Sequence, residues 1–236
     1  MRQLALQIQS DATPTLANFV SGRNAEALAA LHAALTTPAR ETLIYLWGPE
    51  GSGKTHLLRA LGDALAAAGR PARPLSGATA VAADLESARL LVDDVDRLSP
   101  ALAERLFHAW NRIREDGGLL VCAGSQAPAA LPLAPELASR LAWGAVYRLQ
   151  PLDDAEKLAA LRARADQQGI PVADEALRYL LAHARRDLPS LIATLAQLDE
   201  LSLASRRAIT APLVREMLAQ GGKDAPGTNP LETLCD

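Results

Sequence analysis

The segment Gly48-Pro49-Glu50-Gly51-Ser52-Gly53-Lys54-Thr55 matches the pattern G-x-x-x-x-G-K-[ST] at every fixed position. An apolar run, 42–47, precedes this segment, and a helix-like pattern that starts at His56 follows it. Strand, glycine-containing loop and helix are the context in which the pattern forms a phosphate-binding loop. The glycines allow backbone N–H groups to converge at the helix N-terminus, where they bind phosphate oxygens. The pattern therefore predicts a site for nucleotide phosphates.

The residues of this loop have separate expected roles. Lys54 is expected to reach the β- and γ-phosphates, and the Thr55 hydroxyl is expected to bind Mg²⁺. The residues at and directly after the loop that are expected to contact ATP or ADP are Gly48, Pro49, Glu50, Gly51, Ser52, Gly53, Lys54, Thr55 and His56. A structural role for His56 is the alternative interpretation of that residue.

A second motif, 90–96, is an apolar run that ends in acids. A buried parallel strand has such a continuous apolar run, and a carboxylate at its C-terminal edge can hold hydrated Mg²⁺. Asp93 is the expected Mg²⁺ partner, through water, and Asp94 the carboxylate expected to polarise an attacking water. An ordinary strand followed by an acidic turn is the alternative.

Composition limits the classes of function. The formal net charge is −3, so the chain lacks the basic excess of an electrostatic DNA binder, and any DNA contact is expected to be weak or indirect. Cys122 and Cys235 are the only cysteines, and they lie in an apolar strand and in the tail, so no disulfide is expected. No stretch reaches about 18 strongly apolar residues, which predicts a cytoplasmic protein outside the membrane.

Strand and helix patterns alternate up to residue 150. Strands are predicted at 42–47, 71–75, 90–93, 119–123 and 145–149, and helices from 25 to near 37–38 and at 56–69, 101–114 and 136–141. Prolines at 71 and 74 restrict the second strand to a sheet edge. Alternation of this kind predicts an α/β fold in which helices flank a parallel sheet on both faces.

From Asp153 the pattern is purely helical. Asp153 is expected to cap a helix that ends at Gly169, Asp174 to cap a second, and further helices to span 188–203 and 211–221. The predicted organisation is a flexible segment at 1–15, an α/β nucleotide-binding domain at 16–150, a small all-α lid at 151–220 and a disordered tail at 221–236.

Together these motifs resemble the AAA+ family of the DnaA type. The resemblance rests on 16–24, the phosphate loop, the Asp93-Asp94 pair, 139–144 and the helical lid pattern. It implies an AAA+ fold in which Phe19 and Val20 line the adenine pocket. The sequence ends after the lid pattern, without the C-terminal DNA-reading domain of DnaA, so the initiator itself is not expected.

The resemblance also implies roles for two polar positions. Arg140 matches the arginine finger, which enters the nucleotide site of a neighbouring subunit and stabilises the transferring phosphoryl group. A surface ion pair is the alternative for Arg140. Ser125 matches the residue that senses the γ-phosphate, and Gln126 is an equal rival.

One lid position departs from the family pattern. The arginine that usually contacts the phosphates from the third lid helix aligns with Pro189. Arg185 or Arg186 could substitute, although both precede the helix. This departure argues against efficient hydrolysis by the chain itself.

The N-terminal segment Gln3-Leu4-Ala5-Leu6 resembles the peptide with which bacterial replication proteins bind the DNA sliding clamp, the β subunit of DNA polymerase III. Leu4 and Leu6 would fill an apolar pocket of the clamp, and the Gln3 amide would set the register. An ordinary strand is the alternative.

The resemblance implies regulation of replication initiation, in which the clamp-bound chain promotes hydrolysis of DnaA-bound ATP through Arg140 acting in trans. Such a protein would be nucleoid-associated through the clamp, and homo-oligomerisation stays open. Alternatives are a stand-alone ATPase, such as a helicase or clamp loader, and an adaptor with a purely structural nucleotide. His32, His108 and His183 show no ligand spacing, so no zinc site is expected.

Overall fold

The computed structural model describes residues 13–36 and 41–221 of the chain. The chain divides between Leu152 and Asp153 into two compact units. The N-terminal unit is an α/β domain, and the C-terminal unit is helical.

Strands and helices alternate through the α/β unit. In chain order they are α1 (Ala25–Thr36), β1 (Glu41–Trp47), α2 (Lys54–Ala67), β2 (Arg73–Ser76), β3 (Arg89–Asp93), α3 (Pro100–Asp116), β4 (Gly118–Gly124), α4 (Pro135–Trp143) and β5 (Ala145–Arg148). Short 3₁₀ turns, which the sequence patterns did not predict, lie at Gly22–Asn24, Ala82–Glu86, Val95–Arg97 and Pro128–Ala130.

The strands form one five-stranded parallel sheet in the order β2-β3-β4-β1-β5. The predicted parallel sheet is therefore confirmed, and the proline-containing β2 lies at an edge. In the centre, Cys122 of β4 pairs with Tyr45 of β1 on one side and with Val92 of β3 on the other. Because all strands run the same way, their carboxyl ends collect at one edge of the sheet.

Helices cover both faces of the sheet, which explains the continuous apolar runs of its central strands. On one face, Tyr45 and Val92 pack with Leu106 and Trp110 of α3. On the other face, sheet residues including Leu46 pack with α1 and α2. Burying one such large apolar side chain contributes roughly 1.5–3 kcal/mol.

The structure confirms the predicted end of one strand and corrects that of another. β3 ends at Asp93, as predicted, because Asp94 adopts a left-handed backbone conformation (φ 51°) that turns the chain out of the sheet. β5 ends at Arg148, one residue early, although the Leu149 N–H still donates to the Trp47 carbonyl at 2.6 Å.

The helical unit consists of α5 (Asp154–Gln168), α6 (Asp174–His183), α7 (Leu188–Ser205) and α8 (Ala211–Gly221). Its core is formed mainly by leucines, including Leu161, Leu177, Leu191 and Leu195.

Helix caps confirm one prediction in this unit and correct another. Asp153 caps α5, and Gly169 ends that helix in the left-handed conformation, as predicted. Asp174 does not cap α6: the cap residue is Ala173, and Asp174 is the first helical residue. Its carboxylate forms an ion pair with Arg162 instead.

Within the described ranges, no helix combines the length and apolarity needed to cross a bilayer. The same residues contain no group of three or more histidine, cysteine or acidic side chains arranged to hold a metal ion.

Candidate nucleotide-binding site

The phosphate loop joins the carboxyl end of β1 to α2. Gly51 (φ 76°) and Gly53 (φ 94°) both have left-handed backbone conformations, which glycine adopts without steric cost. Gly53 is the N-cap residue of α2 and provides no side-chain cap. The first N–H groups of a 14-residue helix therefore lie at the loop, as an anion-binding site requires.

Lys54 lies against this loop. Its Nζ donates to the Gly48 carbonyl at 2.7 Å and to the Pro49 carbonyl at 3.0 Å. The ammonium group is thus held beside the backbone that is expected to surround phosphates.

Ser52 gives an independent test of whether the loop fits a nucleotide. Its Oγ is buried and makes no hydrogen bond within the described part of the chain. An unsatisfied buried hydroxyl costs about 1–3 kcal/mol, and a ligand oxygen would satisfy it. The loop residues therefore fit a phosphate group.

Thr55 and Asp93 come together at the end of β3. The Thr55 hydroxyl donates to Asp93 Oδ2 at 2.6 Å. A hydroxyl and a carboxylate are hard oxygen ligands of the kind Mg²⁺ prefers. These residues, predicted separately from two motifs, thus form one pair that fits the ion.

Asp94 is half-buried next to this pair. Burial, together with the negative charges of Asp93 and Asp96, raises the pKa of Asp94. The opposing Arg97 guanidinium is 4.0 Å from the Asp94 carboxylate. A raised pKa makes the carboxylate a stronger base, which suits the expected role toward water.

Asp96 is a site residue that the sequence interpretation did not assign. Its two carboxylate oxygens accept from the backbone N–H and the hydroxyl of Ser125, both at 3.1 Å. The only signal in the sequence was a third acid after the strand. A serine hydroxyl has a single proton to donate, and here Ser125 donates it to Asp96. The same proton would be required for a hydrogen bond to a γ-phosphate.

The rival sensor position, Gln126, is fixed through its backbone. The buried Tyr45 hydroxyl donates to the Gln126 carbonyl at 2.7 Å. Burial is the main cause that raises the pKa of Tyr45, so the phenol keeps the proton for this bond. Ser125 and Gln126 are both exposed at the carboxyl end of β4.

The segment that precedes α1 packs against the phosphate loop. A Cβ atom added at Gly53 would lie 2.6 Å from the Phe19 ring, so Phe19 is in close contact with the loop. The rings of Phe19 and His56 are 5.6 Å apart, and His56 Nε2 is 3.1 Å from the Thr15 carbonyl. Val20 is half-buried beside them. The expected base-pocket residues are therefore near the loop, and His56 connects them to α2.

Arg140 lies in the last turn of α4 over aromatic rings. Its guanidinium carbon is 4.9 Å from the centre of the Trp110 ring and 5.7 Å from that of Phe107. Arg140 forms no salt bridge with any residue that the structure describes. Aromatic contacts thus replace the ion pair considered as the alternative.

The course of α4 separates Arg140 from the chain's own phosphate loop. α4 leads from the carboxyl edge of the sheet back toward its amino edge, where Gly144 packs so closely that an added Cβ would lie 2.4 Å from the Leu43 carbonyl. The phosphate loop is at the carboxyl edge. This arrangement suits action on another molecule rather than on the same chain.

In the helical unit, the arginines that could replace the lid arginine are paired. Arg186 forms an ion pair with Asp154, and Arg185 Nε is 3.4 Å from Asp187. Pro189 lies in the first turn of α7 and has no polar side chain. The proposed clamp residues Gln3, Leu4 and Leu6, the tail 222–236 and Cys235 lie outside the described residues.

The helical unit matches a known domain family. Residues 154–218 match the family described as the lid domain of Hda.

Solved structures of DnaA share the fold of the chain. Domain III of the Thermotoga maritima replication initiation protein DnaA is 22% identical, with a TM-score of 0.70, and the match covers 89% of this chain and 97% of that one. AMPPCP-bound DnaA from Aquifex aeolicus is 20% identical, with a TM-score of 0.69, and the match covers 90% and 70%.

A motor protein shares the fold to a similar degree. The Thermotoga maritima RuvB Holliday junction branch migration motor is 19% identical, with a TM-score of 0.68, and the match covers 94% of this chain and 76% of that one. Fold similarity alone therefore does not separate relatives of DnaA from motors such as RuvB. The match of the helical unit to the lid domain of Hda favours the relatives of DnaA.

Proposed function

We propose that this chain, which has the AAA+ fold of DnaA and a helical unit that matches the lid domain of Hda, regulates replication initiation by promoting hydrolysis of DnaA-bound ATP. The match of residues 154–218 to the Hda lid family carries the proposal, because it separates the chain from motors of the same fold. The position of Arg140 supports the mechanism.

The first part of the proposal is a bound ATP or ADP. Gly48–Thr55 would hold the phosphates, Thr55 and Asp93 would hold Mg²⁺, and Phe19 and Val20 would contact the base. Mg²⁺ supplies charge neutralisation of the phosphates when bound. The buried Ser52 hydroxyl and the Thr55–Asp93 pair support this assignment.

We propose that this chain hydrolyses its own bound ATP only slowly. The lid position that usually carries an arginine is Pro189, and the two nearby arginines are held in ion pairs within the lid. The single proton of Ser125 is directed to Asp96. The nucleotide would then hold the fold in a competent state, while the reaction proceeds in the partner.

The catalytic contribution to the partner comes from Arg140. Its guanidinium offers a planar set of donors, and its position away from the chain's own phosphate loop suits insertion into the site of a neighbouring DnaA. An arginine supplied in trans accelerates phosphoryl transfer by about 10³–10⁵, or roughly 4–7 kcal/mol of barrier. Arg140 would stabilise the charge that develops as the γ-phosphoryl group of DnaA-bound ATP is transferred to water.

The N-terminal peptide is proposed to hold the chain on the DNA-loaded sliding clamp. Gln3, Leu4 and Leu6 carry this part of the proposal by their sequence pattern alone. Tethering raises the effective concentration of the chain near DnaA and links DnaA inactivation to ongoing replication.

The proposal is tested by the ATPase activity of DnaA in the presence of the full chain, loaded clamp and DNA. Arg140→Ala should abolish the stimulation but keep ADP binding, whereas Lys54→Ala should lose ADP binding. Arg140→Lys should fail to restore stimulation, because an ammonium group lacks the planar fork. Arg59→Ala, which removes an exposed arginine from α2, is the matched control.

Normal stimulation by Arg140→Ala would show that the finger assignment is wrong. The similarity to RuvB supports a second candidate, a stand-alone motor ATPase. Rapid ATP turnover by the chain alone, unaffected by DnaA, would favour that candidate over the regulator.

A further inference from the structure

Trp143, the last residue of α4, is a large aromatic side chain that is 59% exposed. The Arg114 guanidinium carbon lies 4.6 Å from the centre of its ring and 5.6 Å from that of Trp110. The two indole rings are 6.3 Å apart and nearly perpendicular, at 74°. Trp143 therefore projects from the same aromatic cluster that holds Arg140.

We name this cluster the arginine–tryptophan face; it comprises Phe107, Trp110, Arg114, Arg140 and Trp143. Within it, Trp110 is buried and belongs to the core, whereas Trp143 is open to solvent. The exposed part of Trp143 makes no contribution to the packing of the core, because it faces solvent.

The geometry of Trp143 suits a binding contact. A guanidinium stacked on an indole restricts the side chain before any partner arrives, so less conformational entropy is lost on binding. Tryptophan and arginine are also enriched among the few residues that contribute most of the affinity of an interface.

The positive charge of the arginine–tryptophan face indicates that its partner presents a negatively charged surface. Neither Arg114 nor Arg140 forms a salt bridge with any described residue, so the face carries two cations without a direct ionic partner among those residues. The edge of this chain that is expected to hold the nucleotide carries Asp93, Asp94 and Asp96. In a nucleotide-loaded DnaA, the phosphates themselves supply negative charge that two cations would complement.

We propose that Trp143, supported by Arg114, is the docking anchor that seats the nucleotide-bearing edge of ATP-loaded DnaA beside Arg140. This inference rests on the proposed function and adds a division of labour to it. Trp143 provides affinity for the partner, and Arg140 provides the charge for hydrolysis. The two residues are one helical turn apart on α4, so docking of one brings the other to the site.

The test measures the affinity of the full chain for DnaA loaded with AMPPCP, whose methylene bridge prevents hydrolysis and so separates binding from catalysis. Trp143→Ala should raise the Kd about 30-fold, as expected for an interface hot spot. Trp143→Phe should restore part of the affinity, because it keeps an aromatic plane. Arg114→Gln should weaken binding by several-fold.

Val81→Ala is the matched control, because Val81 is 58% exposed in the same unit and lies outside the face. Its Kd should equal that of the unchanged chain. Binding of ADP and the circular dichroism spectrum show whether each variant is folded. If Trp143→Ala does not fold, the conservative Trp143→Phe and Arg114→Gln variants carry the test.

The outcomes separate the anchor from the proposed function. If the unchanged chain binds DnaA and folded Trp143→Ala binds it equally well, the anchor is wrong and the function stands. If the unchanged chain neither binds DnaA nor stimulates its hydrolysis, the function is wrong, and so is the choice of DnaA as the occupant. Loss of self-association in Trp143→Ala, without loss of DnaA binding, would assign the face to a second copy instead.

Discussion

At the scale of single residues, Asp94 connects the chemistry of the site to the stability of the fold. It takes a left-handed backbone conformation (φ 51°), lies half-buried and has two acidic neighbours. The backbone conformation is sterically unfavourable, and the burial and the acidic neighbours disfavour the charged carboxylate. Residues held in such positions are found where a function requires them.

The pH dependence of this contribution has a definite sign. A carboxyl group with a raised pKa binds its proton more tightly in the folded state than in the unfolded state. The contribution of Asp94 to stability therefore falls as the pH rises from its ordinary pKa of 3.8 through its raised folded value, and the penalty is complete above that value.

Asp94→Asn should accordingly stabilise the protein at pH 7. Asparagine removes the charge and tolerates the left-handed conformation. Because the carboxylate is partly exposed and screened, the expected rise in Tm is only about 1–2 °C. Thermal unfolding followed by circular dichroism measures it, and Asp63→Asn, an exposed carboxylate on α2, should leave Tm unchanged. A lower Tm for Asp94→Asn would contradict this account.

At the scale of elements, the first residues of two helices show when a short sequence pattern predicts a helix cap correctly. α5 begins with a reciprocal pair, in which the Glu156 N–H donates to Asp153 at 2.9 Å and the Asp153 N–H donates to Glu156 at 2.8 Å. The same residue type at Asp174 does not cap α6, because Ala173 is the cap residue and Asp174 is already the first helical residue. A local motif thus predicts a cap correctly only where the helix begins at the expected residue.

Asp153→Ala should destabilise α5 by about 0.5–2 kcal/mol, because the Glu156 N–H loses the carboxylate that accepts its hydrogen bond. Amide hydrogen exchange of the full chain should show faster exchange in α5, with little change in α2. Asp166→Ala removes a carboxylate from the last turn of the same helix, and it should leave the protection of α5 unchanged. Equal amide exchange in Asp153→Ala and in the unchanged chain would show that the reciprocal pair of hydrogen bonds does not stabilise α5.

At the scale of the whole molecule, the proposal assigns separate tasks to separate segments. The N-terminal peptide would bind the clamp, the α/β unit would bind nucleotide and present Arg140, and the helical unit is the part that matches the lid domain of Hda. Such a division predicts that one task can be removed while another remains.

Deletion of residues 1–8 should abolish binding to the sliding clamp and leave ADP binding intact. Surface plasmon resonance on immobilised clamp and ADP titration of the same samples measure the two effects. A double substitution of Leu4 and Leu6 by alanine should reproduce the loss, whereas Gln9→Ala, outside the pattern, should bind normally. Undiminished clamp binding by the deleted chain would refute the role of the peptide.

Features that depend on neighbours in the chain were predictable from the amino-acid order alone. The phosphate loop, the acid at the end of β3, the edge position of the proline-containing strand and the cap of α5 all follow from short spacings. Each depends on backbone geometry over a few residues, and that geometry is set by local sterics and hydrogen bonding.

Other features required the folded chain, because they join residues that are far apart in sequence. The Asp96–Ser125 bond, the Phe19 contact with Gly53 and the aromatic support of Arg140 arise from helices and strands packed together. No local pattern specifies such contacts, since a side chain finds its partner only after the sheet order has brought both into reach. The exposed Trp143 belongs to this group as well: its residue type was visible in the sequence, but its exposure and its Arg114 neighbour were not.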